Sequence, residues 1–149
     1  MSVRFFEDFE VGQIFTAGGI KLSLEEIMEF ARNYDPQPFH VDIDYAEKFQ
    51  YGGIIASGFH TMAVTMRLFV DTGFLGTSSL GSPGIESIQF VSPVRPGDVL
   101  SLSVLLENKR VSKSDPSRGV MVLNYTTTNQ EDEVKLKMKG IVLMKCRSK

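Results

Sequence analysis

The stretch Asp35-Pro36-Gln37-Pro38-Phe39-His40-Val41-Asp42 places a carboxylate five residues ahead of an imidazole, in a chain of 149 residues with only two histidines. Pro36 and Pro38 restrict the backbone on both sides of Gln37, so Asp35 and His40 are held with little freedom between them. A base and an acid at fixed separation can act on one water molecule, and proton transfer of this kind contributes about 10²–10⁴ in rate. The plainer alternative is a rigid turn in which Asp and His only form hydrogen bonds, and the motif alone leaves both readings open.

A second block, Gly52 to His60 (GGIIASGFH), puts Ser57 and Gly58 in the first turn of a long helix. N–H groups there lack intrahelical partners and sit at the positive end of the dipole. Gly58 lets a ligand carbonyl approach, and its amide could stabilise a thioester enolate, the charge formed when water adds to an α,β-unsaturated acyl group. Alternatively, the small residues Ala56 to Gly58 serve close packing of helix on sheet. His60 lies about 200° around the helix from Gly58 and is expected to be a buried, hydrogen-bonded residue. No metal site is expected, because neither histidine has a partner at ligand spacing. Met62 and Met66 read as core filler, and Lys109, Arg110, Lys113 and Arg118 read either as a solvated turn or as contacts for coenzyme phosphates.

The elements that must position these residues follow from periodicity. Gln13 to Lys21 reads as a strand, and Ser23 with Glu26 forms a capping-box signature ahead of a helix over Leu24 to Asn33. Pro36 should stop that helix near Asp35. Asp42 or Asp44 can cap a short helix over Tyr45 to Phe49. Apolar residues at 3.6 spacing predict the longest helix from Ile54 to about Asp71, followed by a mobile Gly/Ser-rich loop, Gly73 to Gly84. Four strands then read as an antiparallel meander with one wet face, on which the lysines alternating with Val134, Leu136 and Met138 are placed. A long apolar helix followed by such strands suggests an α+β domain with a sheet wrapped around the helix.

Composition narrows the functional classes. A length of 149 residues suits one domain, 1–149, and a hydrophobic fraction of 42% with 23% charged residues is ordinary for a globular protein. A net charge of −2 argues against a nucleic-acid partner. The single Cys146 fits a reducing compartment, the N-terminus lacks signal-peptide regions, and no run reaches membrane-spanning length. A cytoplasmic protein that binds neither nucleic acid nor membrane is the expectation.

The Asp35 to Asp42 stretch resembles the Asp-any-Asn-Pro-aliphatic-His-any-Asp motif of the MaoC-like dehydratases, the hydratase-2 group that contains (R)-specific enoyl-CoA hydratases. Ile54 to Gly58 is similar to that family's entry to its central helix, and Phe90 to Leu100 (FVSPVRPGDVL) resembles its strand-turn-strand segment. The resemblance implies a hotdog fold, an antiparallel sheet around a long central helix, assembled as a homodimer or higher homo-oligomer. It implies catalytic roles for Asp35 and His40, which activate water, and for Gly58, whose amide binds the thioester oxygen. Gln37, Phe39, Ser57 and Phe59 are the expected substrate-binding residues. Gln37 occupies the place of the motif's Asn, Phe39 that of an aliphatic residue, and Ser57 a place where the family often has His. The implied activity is reversible hydration of a trans-2-enoyl thioester, on coenzyme A or an acyl carrier protein, to the (3R)-3-hydroxyacyl form, with no cofactor beyond the coenzyme A of the substrate. Two rivals are a hotdog acyl-CoA thioesterase and a non-catalytic acyl-thioester binding subunit.

Overall fold

A computed structural model describes residues 3–148. After β1 (Ile14–Lys21) the chain enters α1 (Leu24–Tyr34), whose capping box is formed as expected: Ser23 Oγ accepts from Glu26 N at 3.1 Å and Glu26 Oε1 accepts from Ser23 N at 3.3 Å. The helix ends at Tyr34, because the proline that follows Asp35 disfavours helical geometry there. Two short helical pieces follow, α2 (Pro38–Val41) and α3 (Ile43–Lys48). Pro38 at the first position of α2 uses the fixed φ of proline to start the turn that carries His40. Asp42 caps α3 by accepting from Tyr45 N at 3.1 Å.

The central helix α4 is Gly58–Asp71, so it begins four residues later than periodicity suggests. Ile54 to Ser57 are buried but carry no helical turns, because Ala56 N is drawn to Val94 O at 2.9 Å and Ser57 adopts the N-cap conformation. Thr61, Val64, Thr65, Leu68 and Phe69 form the buried face of α4. Burying Leu68 and Phe69 contributes about 1.5–3 kcal/mol each. The deepest polar side chain on this face is satisfied: Thr65 Oγ1 and Thr127 Oγ1 lie 2.7 Å apart in the core. On the other side of the helix Phe59, Met66 and Val70 remain 65%, 50% and 50% exposed.

The sheet is antiparallel and five-stranded, with β1 at one edge beside the strand Val99–Val111. The strands β3 (Val99–Val111), β4 (Arg118–Thr128) and β5 (Val134–Lys145) form the expected meander. β2 (Gly84–Phe90) does not join it next to β3; it pairs with β5 at the opposite edge, and residues 91–98 carry the chain back across to β3. A turn signal such as Arg95-Pro96-Gly97-Asp98 marks where the chain bends but not which strand it returns to. Along β4 the inward residues Met121, Leu123, Tyr125 and Thr127 are buried while their neighbours are not, which is the alternation of a sheet with one packed face. In β5 the alternation breaks. Thr127 faces Leu136 and Thr128 faces Val134, so Lys135 is an extra residue in a bulge and is buried with Leu136, not placed on the wet face.

The Gly73 to Gly84 segment is also not the free loop its composition suggests. Leu80 N donates to Leu143 O at 2.8 Å, Leu143 N to Gly81 O at 2.9 Å and Lys145 N to Ser78 O at 2.8 Å, which ties the segment to β5, and Phe74 is buried in the core. No helix among the described residues is long and apolar enough to cross a membrane.

Candidate active site

Asp35 is the C-cap of α1, and its own N–H still bonds back to Ala31 O at 2.8 Å, so the helix end fixes the carboxylate's position. Three side chains converge on it. Gln37 Nε2 donates to Oδ1 at 2.7 Å, Ser57 Oγ donates to Oδ2 at 2.7 Å, and His40 Nε2 lies 3.3 Å from Oδ2. The longer Gln thus reaches the carboxylate directly across the Pro36 corner.

His40, 4% exposed, is held from its other nitrogen. Nδ1 lies 2.6 Å from Ile55 O, and a carbonyl only accepts, so Nδ1 carries the hydrogen and Nε2 is left to exchange a proton beside Asp35. Burial by itself would raise the Asp35 carboxyl; the hydrogen bond from Ser57, then that from Gln37, then the His40 ring outweigh it and hold the group below its ordinary 3.8.

The segment Ile55 to Gly58 holds both members of the Asp35–His40 pair. Ile55 O orients His40 and Ser57 Oγ orients Asp35. Ser57 also caps α4: its Oγ accepts from Phe59 N at 3.3 Å, and its carbonyl accepts from His60 N at 2.9 Å and Thr61 N at 3.1 Å. Of the four N–H groups that open the helix, that of Gly58 alone has no acceptor among the described residues. A Cβ at Gly58 would come within 2.6 Å of the tip of the Phe90 ring, so glycine lets that half-exposed ring lie against the start of α4 and a larger residue would push it aside.

These residues border a cavity of about 440 Å³, within the range of small-molecule sites. Asp35, Gln37, His40, Gly58 and Phe59 line it. Ser57 does not; it is fully buried and acts on the wall from behind. Phe39 does not either, because its ring packs against His40, Phe49 and Tyr51 at centroid distances of 4.5, 5.4 and 5.7 Å.

His60 stacks on Phe30 at 4.5 Å, and burial lowers its pKa. Its Nδ1 has no hydrogen-bond partner among the described residues, unlike the bonded core histidine expected from sequence. The basic group around the β3–β4 turn is remote. Arg118 starts β4 and Thr128, beside the Lys135 bulge, ends it, roughly 33 Å away at strand rise. Lys109 there donates to Phe6 O at 3.1 Å and Arg118 pairs with Asp115 at 3.0 Å.

Among the lining residues that sequence reasoning missed, two bear most on the reactive groups. Phe90 lies over Gly58, and Lys135 enters the cavity wall through the bulge. Neither has a local signal, since both depend on which strand lies beside β5.

The MaoC like domain model matches residues 8–130, which contain Asp35, His40 and Gly58. The chain is 35% identical to the uncharacterized protein YdeM of Bacillus subtilis (strain 168) over 126 residues, 85% of this chain and 88% of that one. The crystal structure of a MaoC-like dehydratase from Rhodospirillum rubrum superposes with a TM-score of 0.91 at 35% identity, covering 99% of this chain and 100% of the other. An (R)-hydratase from A. caviae involved in PHA biosynthesis shares the fold at a TM-score of 0.71 and 20% identity, over 95% and 99% of the two chains. The sheet wrapped around α4 is accordingly a hotdog fold, and the chain belongs to the MaoC-like dehydratase family.

Proposed function

We propose that this protein is an acyl-thioester hydro-lyase that interconverts a trans-2-enoyl thioester and its (3R)-3-hydroxyacyl counterpart, with the acyl group on coenzyme A or an acyl carrier protein. The observation that carries this reading is the convergence of Asp35, His40 Nε2 and the free Gly58 N–H on one cavity. In the hydration direction a water held by Asp35 and His40 gives a proton to Nε2 as its oxygen bonds C3 of the enoyl group. The C2–C3 π electrons move onto the thioester oxygen, where Gly58 N–H stabilises the enolate, a donor worth about 10²–10³ in rate. The proton then passes to C2, and the protein returns to its starting state. The step needs no cofactor beyond the thioester itself.

The exposed Phe59, Met66 and Val70 on α4, with Ile85, Phe90 and Val91 at the β2 edge, fit a second copy of the chain covering this apolar surface in a cytoplasmic homodimer. The test of the reaction mixes purified protein with a short trans-2-enoyl-CoA and follows loss of the conjugated enoyl absorbance. Wild type should consume it, and Asp35→Asn and His40→Gln should be slower by about 10²–10⁴. Folded variants with full turnover would refute the assignment, and release of free thiol from saturated acyl-CoA would put a thioesterase in its place.

A further inference from the structure

Lys135 is 5% exposed, Asp98 is 7% and Asn129 is 4%, so three polar residues, two of them ionic, are buried together beside the cavity. Apolar residues of equal volume would hold such a place at least as stably, since burying a charge pair repays its desolvation only with good geometry. Here the geometry serves a loop. Lys135 Nζ donates to Pro93 O at 3.0 Å and lies 3.8 Å from Asp98 Oδ2 and 3.9 Å from Glu133 Oε2. Asp98 Oδ2 accepts from Arg95 N at 2.8 Å, and Asp98 Oδ1 accepts from Asn129 Nδ2 at 3.3 Å. Asp98 O receives Leu22 N at 3.0 Å. The turn from Pro93 to Asp98 is therefore pinned at both ends.

Between the pins lies Val94, whose carbonyl accepts Ala56 N–H at 2.9 Å. Ala56 is the middle of the extended run whose Ile55 O holds His40 and whose Gly58 opens α4 with its free amide. A shift of Pro93 O moves the adjoining Val94 carbonyl, and that strut moves the His40 acceptor and the Gly58 donor together. We propose that the buried Lys135–Asp98 pair is a positioning device for the reaction: it sets the Pro93–Asp98 turn, and through the Val94–Ala56 hydrogen bond it aligns His40 and the oxyanion donor. Lys135 acts through these groups and takes no part in proton transfer. This rests on the hydro-lyase reading for its kinetic consequence, but not for its structural one.

The test therefore has two arms. Lys135→Met keeps the aliphatic stem and removes the ammonium. Misalignment of groups that act in the transition state should lower kcat about 10–100-fold with KM changed less than about threefold. The NMR resonance of the His40 Nδ1 hydrogen, assigned by its loss in His40→Gln, should shift and exchange faster with solvent. Lys135→Arg, which retains charge and donors, should stay much closer to wild type in both readouts. If Lys135→Met does not fold, Asp98→Asn carries the same test, because it preserves an acceptor for Arg95 N–H while removing the charge opposite Lys135. A folded variant with reduced Tm but unchanged kcat and an unchanged His40 resonance would overturn the proposal and leave the pair a stabilising feature only. Were wild type inactive on enoyl thioesters, the resonance alone would decide: a shift supports the positioning chain and no shift overturns it, whatever the substrate.

Discussion

Ser57→Ala removes one oxygen with two functions. That oxygen caps α4, a contribution of about 1 kcal/mol, and it donates to the Asp35 carboxylate, where a hydrogen bond to a charged group contributes about 1.5–3 kcal/mol. Ser57 is fully buried and the Asp35 side chain is 16% exposed, so water replaces little of what is lost. The expected destabilisation at pH 7 is roughly 2.5–4 kcal/mol by urea unfolding, within the margin of a typical domain. A double-mutant cycle with Asp35→Ala isolates the shared bond and should return a coupling of about 1.5–3 kcal/mol. The pH dependence has a definite sign. Asp35 titrates below its ordinary 3.8 in the folded protein, so its stabilisation is complete above the unfolded value and is lost as pH falls through the lower, folded one. The difference between wild type and Ser57→Ala should thus hold steady from pH 7 to about pH 4 and shrink below it, leaving the cap alone. A coupling under about 0.5 kcal/mol, the usual additivity error, or a difference that widens on acidification would show that Ser57 does not hold Asp35 as an ionised partner.

Two further outcomes are expected. Thr65→Val should cost about 1–3 kcal/mol in urea unfolding because it orphans the Thr127 hydroxyl 2.7 Å away, while the Thr65→Val, Thr127→Val double variant should recover most of that loss. If the proposed homodimer forms, Met66→Lys with Val70→Glu, at half-exposed positions on α4, should leave the fold intact and give a monomer mass in light scattering where wild type gives twice that mass; a variant that keeps the doubled mass would place the interface elsewhere.

What the sequence reveals about this molecule is local, and what it conceals is set by distant partners. The capping box of α1 and the Pro36 stop lie within a few residues of what they control, and they fix the place of Asp35 at a helix end. His40 and Gly58 are likewise marked by short motifs. The start of α4 is misplaced because the apolar period runs on through Ile54 to Ser57, while the backbone there is claimed by Val94 and His40, both remote in sequence. Ser57, an N-cap residue type directly before Gly58, is the signal that would have corrected it. The position of β2 and the inward turn of Lys135 depend on strand order and on a bulge, and an alternating strand gives no sign of an inserted residue. Phe39 stands at the motif's aliphatic place, from which the resemblance implies substrate contact, yet adjacent residues of one helical turn point in different directions and its ring packs on Phe49.

The division of labour along Ile55 to Gly58 has a bearing on how such a protein changes its diet. Ile55 and Ala56 each lend the site a main-chain group, a carbonyl for His40 and an amide for the Val94 strut, and both residues line the cavity. Main-chain atoms survive any substitution except proline. The shape offered to an acyl group can therefore drift at these two positions while the reactive groups stay tethered, so selection or a designer can search for new substrates there without first rebuilding the chemistry.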